Sequence, residues 1–494
     1  MSLTSLYFLA TVVVAAIVYY AVPVKIRWIA ILLANGFFLW KCDSVLELIV
    51  WLATALIAYL AAMYAEKHSE ERKGKVVTFL GVFIIAAVMI VLKDAGSLVP
   101  LPVKVSPIGI SYYSLTWISY ILDVSWGMCK AEKNPLKFLA FAGYFPTLTS
   151  GPIVRYSEIG TSITTGNRFE YKNITFGAQR ILWGFLKKMV IADRIAVFVD
   201  SVYRLPHNYP GLYIWIASAF FVIQLYFDFS GCIDIALGTA EMFGVTLPEN
   251  FDLPFLSQTL EEFWRRWHIT LGGWLRDYIL YPILKSSPLQ GLGKLTKKWF
   301  GKKLGKKIPT WIGLMISWFL VGFWHGGHWN YIFGVGILFG MIIILGDALE
   351  PVFKKITGFL KINTEAFSWK AFRVVRTWFF FMTGLSFFRA GGLKIGFSNI
   401  KLATSVFNPW IIFDGSLYNL GLTATDYHIL VFFILVAIVA GLLKYFTKKS
   451  VRTLISEQNV VFRWILYLLL IYAIIVYGCY GVGFSSASFI YQGF

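Results

Sequence analysis

Long apolar runs separated by short polar segments make up most of the chain. The first four runs cover residues 6–22, 28–40, 46–64 and 76–92, and a charged loop at 66–75 precedes the fourth. A helix needs about 20 apolar residues to cross a bilayer, and it satisfies its backbone hydrogen bonds internally. The pattern therefore predicts an all-α, polytopic transmembrane protein.

Later runs carry more polar residues. Residues 107–123 are apolar but contain several hydroxyl groups, which favours the wall of an internal cavity over a lipid-facing helix. Residues 260–281 follow a helical period with many charges, so we expect an interfacial or re-entrant helix buried by other helices. The last apolar run, 466–482, leaves the tail 485–494 outside. Because the chain shows no repeat and no soluble segment, we expect residues 1–494 to form one integral-membrane domain.

The chain has a formal net charge of +19, with 58% hydrophobic and 14% charged residues. Lys and Arg concentrate in the cytoplasmic loops of membrane proteins, so the excess indicates topology, and we expect no nucleic acid partner. The expected location is the plasma or inner membrane, with several crossings. Residues 285–307 hold eight lysines and no acidic residue. Two interpretations are open for them: a solvated cytoplasmic loop, or a collar that attracts an anionic donor such as a nucleotide-containing thioester.

Two kinds of feature have no support in the sequence. Cys42, Cys129, Cys232 and Cys479 are far apart and form no CxxC pair, so they indicate neither a metal site nor a disulfide framework. No Lys or Arg precedes the first apolar run, which therefore lacks the basic region of a signal peptide. We expect this run to be a retained span.

Charged residues also occur inside apolar stretches. Asp228 and Asp234 are six residues apart and fall on different faces of a helix, so we expect capping or ion pairing rather than joint acid–base chemistry. Local charge pairing of a structural kind is expected at 187–188 and 193–194. Arg155 follows a segment broken by two prolines and a glycine. Binding of an anionic ligand and anchoring at the membrane interface are both open for it.

The stretch 319–330 reads Phe-Leu-Val-Gly-Phe-Trp-His-Gly-Gly-His-Trp-Asn and lies between two apolar runs. An ionisable side chain at membrane depth costs about 2.5–3.5 kcal/mol or more and marks a functional site. Gly326 and Gly327 allow the backbone to turn or another group to approach. The alternative interpretation of His325 is a histidine of the aromatic belt between two spans.

His325 and His328 have a spacing that zinc sites also use. A catalytic zinc takes three protein ligands, however, and the sequence supplies no third, so no metal is expected. A neutral imidazole in a buried site suits a general base that removes a proton from a hydroxyl group at physiological pH. A hydroxyl group and an activated acyl group together give acyl transfer. The chain contains no GxSxG motif, which disfavours a serine hydrolase of that kind.

Seven short motifs, in their order and spacing, resemble the membrane-bound O-acyltransferase (MBOAT) family, in particular its alginate O-acetyltransferase-like branch. They are Pro107-Ile-Gly-Ile-Ser, Ser150-Gly-Pro-Ile-Val-Arg-Tyr156, Phe227-Asp-Phe-Ser-Gly231, Pro248-Glu-Asn-Phe251, Phe263-Trp-Arg-Arg-Trp-His-Ile269, Trp274-Leu-Arg-Asp-Tyr278 and Trp324-His-Gly326. The resemblance implies a ring of helices around a thinned centre, with a tunnel through the membrane. It also implies that His325 is catalytic and that His268 orients the acceptor or stabilises charge. The tunnel or substrate-binding residues that it implies are Arg155, Trp324, Asn250, Trp267 and Arg276.

The end of the chain, Phe489-Ile-Tyr-Gln-Gly-Phe494, partly resembles a terminal motif of this branch and of the small partner in teichoic acid D-alanylation. The resemblance implies that Tyr491 carries the acyl group. A phenol, with a pKa near 10, is closer to a thiol near 8.5 than an aliphatic alcohol is, so a phenolic ester keeps much of the transfer potential of a thioester. An aromatic tail that only anchors at the interface is the alternative.

These features together imply a membrane O-acetyltransferase. The expected donor is cytoplasmic acetyl-CoA, with no other cofactor, and the acetyl group crosses the membrane by way of Tyr491. A separate extracytoplasmic acetyltransferase would then acetylate a cell-wall or secreted polysaccharide, and membrane lipid surrounds the protein. Two alternatives are open: transfer of D-alanine or another acyl group to teichoic acid by the same fold, and a non-enzymatic polysaccharide transporter or flippase.

Overall fold

The computed structural model describes residues 3–98, 107–480 and 490, and these residues form helices joined by turns. No strand occurs among them, although Phe251 and Trp267 form an isolated antiparallel bridge. The all-α prediction is therefore confirmed. The physical reason for the fold is that a helix satisfies its backbone hydrogen bonds internally and needs no partner for them in lipid.

Ten α-helices occupy the described residues up to Arg204. They are α1 Leu6–Ala21, α2 Arg27–Cys42, α3 Val45–Lys67, α4 Arg72–Leu98, α5 Ile110–Ser125, α6 Pro135–Ala142, α7 Phe145–Leu148, α8 Tyr156–Thr165, α9 Tyr171–Phe185 and α10 Asp193–Arg204. A π-helical segment, Leu186–Ala192, joins α9 to α10. The short helix α7 and the gap after it agree with the break predicted before Arg155.

Thirteen further α-helices follow in the described part of the chain. They are α11 Leu212–Met242, α12 Leu260–Arg266, α13 Ile269–Leu275, α14 Tyr281–Lys285, α15 Ser287–Trp324, α16 Trp329–Tyr331, α17 Leu338–Ala348, α18 Glu350–Phe359, α19 Phe367–Arg389, α20 Leu393–Ser405, α21 Ala424–Thr447, α22 Val451–Ser456 and α23 Val460–Tyr477. Two more π-helical segments, Arg276–Leu280 and Ile332–Ile337, follow α13 and α16.

Within the described residues, seven helices are long and apolar enough to cross a membrane. They are α3, most of α4, α11, α15, the run Trp329–Ala348, α21 and α23, and α1 is a shorter apolar helix. The predicted runs 6–22, 46–64 and 76–92 coincide with α1, α3 and α4. The chain is a multi-pass membrane protein, as its apolar pattern predicts.

The chain divides into two compact units, each assembled from separate stretches. The first comprises Met1–Arg194, Leu225–Glu249 and Thr425–Phe494, and the second comprises Ile195–Gln224 and Asn250–Ala424. In the first unit α3, α4 and α5 pack against one another. In the second, the π-helical segment after α16 packs against both α15 and α19. The single integral-membrane domain expected from the sequence stays a prediction.

Glycines allow two helices of the first unit to approach closely. A Cβ atom at Gly177 would lie 2.5 Å from the carbonyl oxygen of Gly238, and one at Gly184 would lie 2.6 Å from that of Gly231. Only residues without a Cβ fit there, and small residues are the usual means by which membrane helices pack this tightly. The two glycines of each helix are seven residues apart, and they pair in opposite order along the chain. These four glycines form an antiparallel contact, the glycine seam, between α9 and the part of α11 in this unit.

Residues 287–307 belong to helix α15, and because a solvated segment between spans can be helical, both interpretations of this stretch stay open. Helix α15 is interrupted at Gly301, where φ is 75°. The chain folds back there, because the hydroxyl group of Thr296 donates to the carbonyl oxygen of Gly305 at 2.7 Å. Most of the lysines are exposed, as in a solvated segment. Lys is a good helix former and Gly301 supplies the reversal, which explains this lysine hairpin (residues 285–307).

The prediction of one helix over 260–281 is wrong at His268. Helix α12 ends at Arg266, and His268 adopts a left-handed φ of 49°. The reason is Asn250, whose backbone carbonyl accepts the N–H of Ile269 at 3.1 Å and whose side-chain oxygen accepts the N–H of Thr270 at 3.0 Å. These bonds replace those of a continuous helix. Three ion pairs lie in this segment: Arg265–Glu261, Arg266–Glu262 and Arg276–Asp277.

Replacing Gly184 with Ala should destabilise the protein. The added methyl group would lie 2.6 Å from the Gly231 carbonyl oxygen, and such overpacking costs about 1–3 kcal/mol, against about 0.5–1 kcal/mol that Ala gains over Gly in a helix. We expect a lower melting temperature for the detergent-solubilised variant. Gly346→Ala in α17, where a Cβ meets nothing within 4 Å, is the matched control and should not lower it. Equal melting temperatures for the two variants would contradict the seam.

Candidate functional site

His325 lies at the end of α15, in the second unit, and is 3% exposed. Its backbone N–H still donates to the carbonyl oxygen of Val321 at 3.2 Å, and the helix stops there. Gly326 follows with a φ of 144°, and a Cβ at that position would lie 2.9 Å from the ring of Tyr331. The sharp turn therefore requires glycine. The turn is held further on by the amide of Asn330, which donates to the carbonyl oxygen of Ala390 at 2.9 Å.

Aromatic rings surround the His325 imidazole. Its centroid lies 4.8 Å from the ring of Trp324 and 5.5 Å from that of Phe388, both in edge-on arrangements. The ring of His268 lies 6.1 Å from the same Trp324. One indole thus contacts both buried imidazoles. The structure brings together the two histidines and the tryptophan that the resemblance selects.

Asn250 fixes the second histidine. Its side-chain oxygen lies 3.3 Å from Nδ1 of His268 and accepts the hydroxyl group of Thr270 at 3.0 Å. Because that amide oxygen can only accept, Nδ1 of His268 donates, and Nε2 is the basic nitrogen of the neutral ring. Burial lowers the pKa of His268 to about 3, so the ring carries no charge at physiological pH. His268 can orient or accept a hydrogen-bonding group but cannot act there as a cation.

His328, the second histidine of the pair considered for zinc, lies in a different environment from His325. His328 is exposed, whereas His325 is buried. Across the described ranges 3–98, 107–480 and 490, no group of three His, Cys, Asp or Glu side chains is placed to hold a metal ion. The geometry of the site therefore rests on imidazole, indole and amide groups.

The remaining predicted site residues differ in their surroundings. Trp267 is buried among phenylalanines, with ring centroids 5.1 Å from Phe251 and 5.2 Å from Phe381, as in a packed core. Arg276 is exposed and pairs with Asp277 at 2.9 Å. Arg155 belongs to the first unit and precedes α8, where its backbone N–H donates to Glu158 at 3.0 Å. Tyr491 lies outside the described residues.

The first unit contains a buried charge cluster whose partners are far apart in the sequence. Lys187 donates to Asp234 at 2.6 Å and Lys188 donates to Asp228 at 2.6 Å. Arg180 joins Asp234 at 2.9 Å and forms two hydrogen bonds with Glu249, at 2.8 and 2.6 Å. Ion pairing was expected for both aspartates and is confirmed. The seven-residue glycine spacing shared by α9 and α11 is the signal that could have revealed the partners.

The spans, the two buried imidazoles and the indole that contacts both define a helical membrane protein with an internal histidine site. The model of MBOAT, the membrane-bound O-acyltransferase family, matches residues 46–296, just over half of the chain. The chain belongs to this family. The match includes His268, Asn250 and Arg155, and it ends before Trp324 and His325.

Curated proteins similar to the chain include acyltransferases named for alginate, peptidoglycan and teichoic acid. The chain is 34% identical to the probable alginate O-acetylase of Pseudomonas syringae pv. tomato, over 58% of the chain and 50% of that protein. It is 30% identical to the peptidoglycan O-acetyltransferase of Helicobacter pylori, over 50% and 49%. It is 28% identical to the teichoic acid D-alanyltransferase of Streptococcus thermophilus, over 62% and 71%. The chain spans about half the length of the first two relatives.

Removing His268 should change how stability depends on pH. Its pKa of about 3 in the folded state lies below the ordinary value of 6.5, so below pH 6.5 the unfolded chain binds a proton that the folded chain does not, and stability falls. In His268→Gln this contribution is absent, so the drop in melting temperature from pH 7 to pH 5 should be smaller than in the wild type. His328→Gln, at an exposed position, is the control with an unchanged slope. A wild-type slope in His268→Gln would contradict the buried neutral state.

Proposed function

We propose that this protein is a membrane O-acetyltransferase that moves acetyl groups from cytoplasmic acetyl-CoA across the plasma or inner membrane. The observation that carries the proposal is the burial of His325 at the end of α15, against Trp324, which also contacts the neutral His268. A buried imidazole held at a helix end can take a proton from an oxygen nucleophile without competition from bulk water.

The reaction starts with deprotonation of an acceptor hydroxyl group, which we assign to Tyr491. The imidazole of His325 takes the phenolic proton as the oxygen attacks the thioester carbonyl carbon. The C–S bond breaks, the thiolate of CoA leaves and is protonated by the imidazolium, and the acetyl group remains as a phenolic ester. His268, oriented by Asn250 through Nδ1, accepts a hydrogen bond from the incoming acceptor at Nε2.

The lysine hairpin supports an anionic donor. Lys297, Lys298, Lys302 and Lys303 lie on both sides of the reversal at Gly301 and are exposed. The phosphate groups of CoA are attracted by such a cluster of one sign. The hairpin then serves as the collar considered from the sequence, in helical form.

The final acceptor that we propose is a cell-wall or secreted polysaccharide. The names of the related proteins from P. syringae and H. pylori specify acetylation of alginate and peptidoglycan. The acetyl ester on Tyr491 would be passed to a sugar hydroxyl group by a separate extracytoplasmic acetyltransferase. That transfer regenerates the phenol, so the tyrosine acts as a carrier, and its phenolic ester keeps enough transfer potential to acetylate the aliphatic hydroxyl group of a sugar.

D-alanyl transfer is the second candidate function. It is favoured by the teichoic acid D-alanyltransferase of S. thermophilus, of which the match covers 71%. The same histidine chemistry serves either acyl group, because the base acts on the acceptor and not on the acyl chain. The two functions differ in the donor and in the mass of the adduct on the chain.

His325→Ala should abolish most O-acetylation at normal protein levels. Loss of a general base lowers the rate by about 10²–10⁴-fold. Ester-linked acetate of the envelope polysaccharide in a deletion strain carrying the variant is the measurement. His328→Ala, three residues away at an exposed position, is the control and should restore acetylation. Full acetylation with His325→Ala would refute the role of His325, and loss of polysaccharide export instead of acetylation would support a transporter.

Intact-mass analysis of the protein under turnover should detect an acetyl-sized adduct that is absent from Tyr491→Phe. The phenylalanine keeps the aromatic ring and removes the phenolic oxygen proposed to carry the ester. An alanyl-sized adduct would indicate D-alanyl transfer instead. An acetyl adduct that persists in Tyr491→Phe would exclude this tyrosine as the carrier.

A further inference from the structure

Asp228 contacts the C-terminal tail of the chain. One oxygen of its carboxylate, Oδ2, accepts the backbone N–H of Ile490 at 2.8 Å. The other oxygen, Oδ1, accepts from Nζ of Lys188 at 2.6 Å. All three residues belong to the first unit. A buried carboxylate in a membrane span therefore divides its two oxygens between a lysine and the main chain of the tail.

The ionic partners of Asp228 explain why its carboxylate can accept a further hydrogen bond from the tail. The side chains of Asp228 and Lys188 are 2% and 3% exposed. Lys188 is shared, because its Nζ atom also lies 2.8 Å from Asp193. A single lysine between two carboxylates leaves negative charge uncompensated, and a buried carboxylate gains most from an additional N–H donor. The N–H of Ile490 supplies this donor.

A second hydrogen bond ties the C-terminal region to the same place. The backbone N–H of Cys479, just after α23, donates to the carbonyl oxygen of Met189 at 2.9 Å. Met189 lies in the π-helical segment Leu186–Ala192, next to Lys188. Helix α23 also packs against this segment and against α9. Two separate points near the C-terminus are therefore held at the Lys188 region.

Asp234, the other buried aspartate of α11, shows how a carboxylate is compensated when side chains supply all of its partners. Asp234 has two cationic partners, Lys187 and Arg180, which occupy both of its oxygens. Its charge is fully matched by side chains. Asp228 has one cation, shared with another carboxylate, and receives the tail.

We propose that Asp228 is a docking site for the chain's own C-terminal tail and that it sets the position at which Tyr491 is presented. The site recognises a backbone N–H, so it binds the main chain at Ile490 and does not select a particular side chain. Asp228 is a positioning residue here, and the proposal rests on the carrier role proposed for Tyr491.

Substitution of Ile490 tests the docking without disturbing the buried charges. In full-length protein carrying Gln492→Cys as a reporter, we expect Ile490→Pro, which has no N–H, to increase the rate of labelling by a polar maleimide about tenfold, as for loss of one charge-assisted hydrogen bond. Ile490→Ala keeps the N–H and should label at the rate of the reporter alone. The same chain without Gln492→Cys corrects for the four native cysteines. Equal rates for Ile490→Pro and Ile490→Ala would overturn the proposal.

Substitutions at the carboxylate separate docking from general loosening. Asp228→Ala should increase labelling as Ile490→Pro does, and Asp228→Asn, which keeps one acceptor oxygen, should restore part of the protection. Asp234→Asn weakens a buried ion pair six residues away on the same helix, so it is the matched control and should leave labelling unchanged. If Asp234→Asn exposes the reporter as strongly as Asp228→Ala, the effect is structural and the proposal is wrong.

The labelling experiment does not require acetyl transfer, so its failure differs from failure of the carrier role. An acetyl adduct on Tyr491 with a tail that stays protected in Asp228→Ala would overturn the docking site and keep the carrier. A tail released in Asp228→Ala without any adduct in the wild type would support the docking site and reject the carrier. Release together with loss of the adduct would support both.

Discussion

A charge buried in an apolar interior is stable only beside an opposite charge, and this constraint organises the first unit. Lys187 and Lys188 cannot reach solvent from a tightly packed helix, so Asp234 and Asp228 must lie opposite them. The glycine seam allows the helices to come close enough for these short contacts. The same constraint explains the tail: Asp228 shares its lysine with Asp193 and completes its hydrogen bonds with a backbone N–H.

The histidine site in the second unit is held by contacts of another kind, namely aromatic rings and an amide group. Backbone geometry and aromatic packing place the imidazoles: a helix end and a glycine turn for His325, and a left-handed residue held by Asn250 for His268. Indole and phenyl groups surround the ring of His325. A neutral imidazole suits proton transfer, since a base has to be unprotonated before it can act.

Local patterns in the sequence predict local structure well in this chain. Apolar runs predict the spans, and charges four residues apart predict the pairs Glu261–Arg265 and Glu262–Arg266. The predictions fail where a residue distant in the sequence forms contacts that override or escape the local pattern. Asn250 breaks the helix at His268 from eighteen residues away, and Asp228 meets Lys188 across forty. Tertiary partners of this kind leave no periodic signal, whereas a glycine repeat matched on two helices does.

The glycine seam has a mechanical consequence. A helix pair joined through backbone contacts could slide by one turn, as packed helices do in some transporters and switches. Here such a slip would carry Lys188 about 5.4 Å past Asp228 and bring side chains into grooves that hold none. The loss of the ion pair and the steric clash both increase as the helices slide, so the two helices stay in register. Any movement within the first unit must therefore come from helices other than this pair.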